Sequence, residues 1–244
     1  MANIGIIAKN LTKKFGSFSA VDGIDLIVPS GQILGLLGIN GAGKTTTMRL
    51  LAGYYPAAGG EISHNGYSLA HDRIMAQRQF GYLPEGAPLP PDFRAIDHLR
   101  FMARLRGLSP LAAKSAIDRV IAWCNLDAVI NQPIETLSKG FKRRLALAQC
   151  LLHDPKILIL DEPTDGLDPN QKYEMRQLLR QFAIERAIIV STHILDEVEA
   201  MCDRIAIIHQ GRLIADTTPQ AIVRTERLDD YFRRITMTGK HHVV

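Results

Sequence analysis

Gly38-Ile39-Asn40-Gly41-Ala42-Gly43-Lys44-Thr45 decides the fold. It follows the apolar run Ile33-Leu34-Gly35-Leu36-Leu37 and leads into a stretch of helical character over 46–52. A G-x-x-x-x-G-K-[ST] pattern between a strand and a helix is a phosphate loop. Its three glycines allow a tight turn whose backbone N–H groups point inward at a polyphosphate. The helix that follows presents its positive dipole end to the same anion. Lys44 reaches the outer phosphates. Thr45 supplies the short hydroxyl that holds Mg²⁺, an ion that keeps most of its waters and takes few protein ligands. Gly38, Asn40, Gly41, Ala42, Gly43, Lys44, Thr45 and Thr46 are the expected phosphate contacts.

A second cluster lies far along the chain. The all-apolar run Ile157-Leu158-Ile159-Leu160 ends in Asp161-Glu162-Pro163. This pattern predicts a central parallel strand that delivers two carboxylates to the carboxyl edge of a sheet, where ligands bind. Asp161 is expected to meet Mg²⁺ directly or through one of its ligands. Glu162, one residue on and facing the other way along the strand, is placed to orient and deprotonate an attacking water.

The 244 residues suit one large α/β domain, or a domain with a subdomain. Hydrophobic residues make up 46% and charged residues 22%. No apolar run approaches the roughly 18 residues that a membrane-spanning helix needs. The start, Met1-Ala2-Asn3-Ile4-Gly5-Ile6, lacks a basic stretch followed by an apolar one, so a cytoplasmic protein is expected. Cys124, Cys150 and Cys202 form an odd, widely spaced set that argues for reduced, buried thiols and against a disulfide frame or a zinc site. The net charge of +4 comes with no long basic run, so no nucleic-acid partner is expected.

Short apolar runs over 4–8, 24–28 and 61–64, closed by Pro29-Ser30-Gly31 and Asn65-Gly66, predict antiparallel strands flanking the loop. After Pro88, Pro90 and Pro91 the period turns helical over 95–106 and 109–123, with Ser109-Pro110 as a cap and first-turn pair. An inserted helical subdomain fits this change. A looser connection over 127–135 leads to Thr136-Leu137-Ser138-Lys139-Gly140, and a helix is expected over 141–152. The last third alternates strands at 157–161, 187–191 and 205–209 with helices at 169–185 and 195–202, the mark of a wound parallel sheet. Gln210-Gly211 then closes a hairpin, and the last twenty residues are too short for a further domain.

Leu137-Ser138-Lys139-Gly140-Phe141, standing just before the acidic strand, resembles the L-S-G-G-Q signature of ABC-transporter ATP-binding subunits. Asp161-Glu162-Pro163-Thr164 and Asp165-Gly166-Leu167-Asp168-Pro169 resemble that family's Walker B segment and D-loop, and Ser191-Thr192-His193 its switch histidine. The order of the motifs is also the family's, up to about residue 218. Gly81-Tyr82-Leu83-Pro84-Glu85 together with the Leu-Ser-Lys-Gly signature is similar to the ABC-2 subtype of gliding-motility and drug-export ATPases. The resemblance implies an α/β P-loop NTPase fold, RecA-like, with an amino-terminal antiparallel β subdomain and a helical subdomain inserted at about 86–155. The ATP-binding domain would span 1–225, with a short tail over 226–244.

It further implies an Mg²⁺-dependent ATPase on the inner face of the cell membrane. The subunit would pair as a homodimer or heterodimer and power a separate integral membrane permease, with export favoured by the subtype. Two subunits would stack head to tail, so that Ser138, the N–H of Gly140 and Asp168 of one copy close on ATP held by the loop of the other. Ser138 and Asp168 are equally sufficient as ordinary helix caps, and both roles are compatible. Phe15 stands where the family stacks a ring on adenine, although a lone aromatic residue there also suits edge-strand packing. His193 is pointed by the family at the γ-phosphate, where a neutral imidazole donates, and a buried structural histidine is the plain alternative.

Three positions depart from the family pattern. Glu85 replaces a glutamine that contacts Mg²⁺ or its water; a carboxylate still binds metal but cannot donate. Lys139 replaces a glycine and Phe141 a glutamine. Lys139, Lys142, Arg143 and Arg144 together crowd positive charge at a helix start, where the dipole disfavours it. The rival reading, a soluble ATP switch acting on ribosomes or DNA, is disfavoured by size: a single ATPase domain without long coiled coils.

Overall fold

The computed structural model describes residues 4–238. The first three residues of the start and the end of the tail, 239–244, lie outside the described residues. The strands in chain order are β1 (Ile4–Phe15), β2 (Phe18–Pro29), β3 (Gln32–Leu37), β4 (Gly59–His64), β5 (Tyr67–Ser68), β6 (Phe80–Leu83), β7 (Ile157–Asp161), β8 (Ala187–Thr192), β9 (Arg204–His209) and β10 (Arg212–Thr217). The helices are α1 (Lys44–Leu51), α2 (Arg73–Arg78), α3 (Ala95–Leu105), α4 (Pro110–Cys124), α5 (Lys139–Leu151), α6 (Pro169–Ala183), α7 (Leu195–Met201), α8 (Pro219–Val223) and α9 (Leu228–Thr238).

Two sheets form. An antiparallel sheet runs in the order β2-β1-β4-β5, and a mixed sheet in the order β10-β9-β3-β8-β7-β6. In the second sheet β9, β3, β8, β7 and β6 are parallel, and β10 closes the edge as an antiparallel hairpin partner of β9. The register pairs Leu37 with Thr192 and Asp161 with Ser191, so β3, β7 and β8 end at one edge.

Every residue of β7 and β8 is buried, which is why both read as continuous apolar runs rather than alternating ones. The two faces of the sheet feed two cores. Ile33, Leu37, Leu158, Leu160, Ile188 and Val190 pack on one side with helical residues such as Leu99, Val120, Leu147 and Leu179. Leu34, Leu36, Ile157, Ile159 and Ile189 pack on the other with Met48 and Leu51 of α1 and with Ile6 and Leu26 of the antiparallel sheet. Each such fully buried aliphatic side chain is worth roughly 1.5–3 kcal/mol. The phosphate loop is therefore carried on a strand packed from both faces.

The structure departs from the sequence reading in identifiable ways. β1 and β2 are longer than their apolar runs because register shifts, at Ala8/Leu11 among others, let polar residues continue in the ladder. The strands β5 and β6 and the helices α2, α8 and α9 go beyond the sequence reading. Helix α5 begins at Lys139 rather than Phe141, because Ser138 takes the cap position and its Oγ accepts the N–H of Phe141 at 3.3 Å. The three cysteines are free and buried. Among the described residues no helix is long and apolar enough to cross a membrane.

Candidate active site

The loop leaves β3 at Leu37 and turns into α1. Gly43, the residue before the helix, has φ 110°, and a Cβ there would lie 2.5 Å from the carbonyl oxygen of Ala20. A Cβ at Gly38 would lie 2.5 Å from the carbonyl oxygen of Ile208. The backbone is thus pressed against β2 on one side and β9 on the other, which fixes the cradle of N–H groups. Lys44 is 6% exposed, and its Nζ donates to the carbonyls of Gly38 and Ile39 at 2.8 and 3.3 Å. Burial lowers its pKa, and the carboxylates of Glu162, Asp161 and Glu85 oppose that shift. A cleft of about 440 Å³ opens over the loop, bordered by Phe15, Phe18, Asn40, Lys44, Glu85 and Glu162 among others.

Behind the loop, the parallel register sets Asp161 beside Ser191. Ser191 Oγ donates to Asp161 Oδ1 at 2.5 Å, and Thr45 Oγ1 donates to the same oxygen at 3.4 Å. Asp161 Oδ2 is buried without a hydrogen-bond partner among the described residues. Burial raises the Asp161 pKa, the Ser191 hydroxyl counters it, and Glu85 adds to the rise. An orphaned carboxylate oxygen that has lost water is what a hard cation satisfies, so Asp161 with Thr45 fits Mg²⁺.

The strand β7 ends at Asp161, and Glu162 adopts φ 49°, in the left-handed region. The two carboxylates are therefore separated by a turn, not by strand alternation as the sequence reading had it. Glu162 N–H is shared between the carbonyl and the Oγ of Ser191 at 3.2 and 3.0 Å. Its Oε1 lies 3.0 Å from His193 Nδ1. Burial raises the Glu162 pKa, and His193 first and Lys44 next hold it down. Beneath this pair, buried Glu197 accepts from Thr164 Oγ1 at 2.6 Å and from Thr192 Oγ1 at 3.0 Å, and Lys172 Nζ pairs with its other oxygen at 2.9 Å. That network ties the segments after β7 and β8 together.

Phe15 is exposed and packs edge-on to Tyr55 at 5.4 Å, with Lys13 Nζ 5.3 Å from its ring. The structure thus brings Phe15, the phosphate loop, Glu85 and Glu162 to one cleft, with Asp161 against Thr45 and His193 against Glu162. It places Ser138, Gly140 and Asp168 elsewhere. Ser138 caps α5, Gly140 is buried beside Gln171, and Asp168 Oδ1 caps α6 by accepting the N–H of Gln171 at 2.9 Å. None of the three borders the cleft.

The basic cluster disperses: Lys142 Nζ donates to the Glu135 carbonyl at 3.0 Å, Arg144 pairs with Glu174, and Arg143 turns inward. Sequence reasoning gave no role to Ser191, Arg143, Thr164 or Glu197. No signal in the sequence marks Ser191, because its partner is set by the register of β8 against β7. For Glu197 the signal is an acidic residue in the first turn of α7, facing Thr192 at the end of β8 and Thr164 in the segment after β7.

A phosphate loop at the carboxyl edge of a wound sheet, with paired acids at the end of β7, one strand removed from β3, defines the class of phosphate-loop nucleotide hydrolases. The family model of the ABC transporter matches residues 21–165. The chain is 37% identical over 219 residues to the Nod factor export ATP-binding protein I of Burkholderia lata, covering 89% of this chain and 72% of that protein. It is 41% identical over 209 residues to the ABC transporter ATP-binding protein YhcH of Bacillus subtilis, covering 84% of this chain and 67% of that one. A solved ATP-binding subunit of an ABC transporter superposes with a TM-score of 0.84 at 30% identity, over 95% of this chain and 99% of that chain. The chain belongs to the ABC transporter family as an ATP-binding subunit, and it is an ATPase.

Proposed function

We propose that ATP is hydrolysed in the cleft above the loop by direct attack of a water that Glu162 orients and deprotonates. The observation that carries this reading is the position of Glu162: it borders the same cleft as Lys44, and His193 holds its Oε1 at 3.0 Å. Lys44 and the loop N–H groups stabilise the transferred phosphoryl, and Phe15 stacks on the base. Thr45 and Asp161 would hold Mg²⁺, with Glu85 as a further contact, and the ion bound there would neutralise charge on the phosphates. His193 keeps the Glu162 carboxylate aimed and faces the γ-phosphate. No covalent intermediate is needed.

Ser138, Gly140 and Asp168 lie at helix starts outside the cleft, which supports a second copy as the partner that brings them to ATP. ATP then bridges the dimer and ADP does not, so hydrolysis opens an interface. The helices between β6 and β7, about 86–155, act as the inserted subdomain that carries Ser138. The work is delivered to a separate integral membrane permease, with the subunit held on the inner face of the cell membrane. Export follows the Nod factor export relative. Purification of the tagged chain from its own membranes tests the partner: an integral membrane protein should co-purify, and recovery of ribosomes or DNA without one contradicts the reading.

A further inference from the structure

Arg143 lies on α5, the helix that Ser138 caps, and it is only 6% exposed. Its Nη2 donates to the backbone carbonyl of Glu162 at 2.5 Å, and the same carbonyl accepts the N–H of Asp165 at 3.1 Å. On the other side of the residue, the Glu162 N–H is held by Ser191. Both polar groups of the Glu162 backbone are thus pinned, at a residue whose φ of 49° L side chains rarely adopt.

Burying a guanidinium is unfavourable unless opposite charge and hydrogen bonds compensate it, and packing alone is served as well by an apolar side chain of similar size. Here the compensating field comes from Asp165, Asp161, Glu162 and Glu85, of which Glu162 and Glu85 border the cleft. Arg143 Nη1 makes no hydrogen bond. Among the described residues, the one hydrogen bond of the buried cation is therefore directed at Glu162.

We propose that Arg143 is a positioning residue for hydrolysis. Through the Glu162 carbonyl its guanidinium holds the left-handed turn that aims the Glu162 carboxylate into the cleft, and it fastens that turn to the helix starting after Ser138. The inference rests on Glu162 being the group that orients water. Arg143 acts through Glu162 and touches neither nucleotide nor water.

The test compares full-length Arg143→Met, Arg143→Lys and Glu162→Gln with the unaltered chain. It reads kcat and KM for ATP and the affinity for a nonhydrolysable ATP analogue. Arg143→Met should lower kcat roughly 10–100-fold, while KM and analogue affinity stay within about twofold. Arg143→Lys keeps a donor on a long stem and should restore most of kcat. If the Met variant does not fold, Arg143→Gln, whose amide stops short of the guanidinium's reach, should show the same split between kcat and KM. Unchanged kcat in Arg143→Met or Arg143→Gln overturns the proposal, as does a parallel loss of kcat and analogue affinity. Sustained turnover in Glu162→Gln shows instead that the underlying assignment of Glu162 is wrong. An inactive Glu162→Gln beside a fully active Arg143→Met removes only the role of Arg143.

Discussion

His193 Nδ1 lies 3.0 Å from Glu162 Oε1, so a ring at the end of β8 fixes the direction of a carboxylate just beyond β7. The ring is about half exposed, with a side-chain exposure of 46%, so it packs little and its contribution is one of aim. His193→Ala should therefore leave the melting temperature and nucleotide affinity near those of the unaltered chain. Steady-state phosphate release should fall roughly 100-fold, the size of effect seen when one positioned polar partner is removed. Release at the unaltered rate contradicts this role.

Ser191 bridges both acids: its Oγ donates to Asp161 Oδ1 at 2.5 Å and accepts the Glu162 N–H at 3.0 Å. Removing the hydroxyl frees Asp161 to rotate away from Thr45. Partners that orient metal ligands typically contribute 10–100-fold to metal affinity, so Ser191→Ala should raise the Mg²⁺ concentration giving half-maximal hydrolysis by roughly that factor. A titration of activity against Mg²⁺ checks it, and an unmoved midpoint counts against Asp161 as the ion's carboxylate.

His64 makes the fold sensitive to acid. Both of its ring nitrogens are buried without hydrogen-bond partners among the described residues, and burial pushes its pKa from 6.5 to about 4. The folded chain keeps the ring neutral while the unfolded chain protonates it. Its stabilisation is therefore complete above pH 6.5 and is lost as pH falls toward 4. At about 1.4 kcal/mol per pKa unit, the loss is on the order of 3 kcal/mol. His153, also moved to about 4 by burial, acts in the same direction. Asp161 and Glu162, whose pKa values are raised, act in the opposite one. Thermal melts should show the midpoint falling over this range, and His64→Leu should flatten the fall. An identical pH slope in the variant contradicts the assignment.

What the sequence made legible was local. The loop at 38–45 carries its geometry in its own glycines, and β7 and β8 announce their two-sided burial by unbroken apolar runs. Tertiary facts were not legible. Lys139, Lys142, Arg143 and Arg144 read as one crowd of positive charge at a helix start. The helical period sends Lys142 to the Glu135 carbonyl, Arg144 to Glu174 and Arg143 into the core toward Glu162. The pairing of Ser191 with Asp161 depends on sheet register, which no single strand contains. The turn at Glu162 depends on partners from β8 and α5, so strand alternation gave the wrong reason for its direction. Strand β6 escaped notice because Phe80 to Leu83 is short and interrupted by Gly81.

The central claim is that Glu162 prepares the water that cleaves ATP. Glu162→Gln keeps the size of the side chain and a partner for His193, and removes the base. Phosphate release from the purified variant under saturating ATP and Mg²⁺ should fall by roughly 10²–10⁴-fold, while ATP stays tightly bound and the ATP-bound dimer persists. Phosphate release at the rate of the unaltered chain would contradict the account.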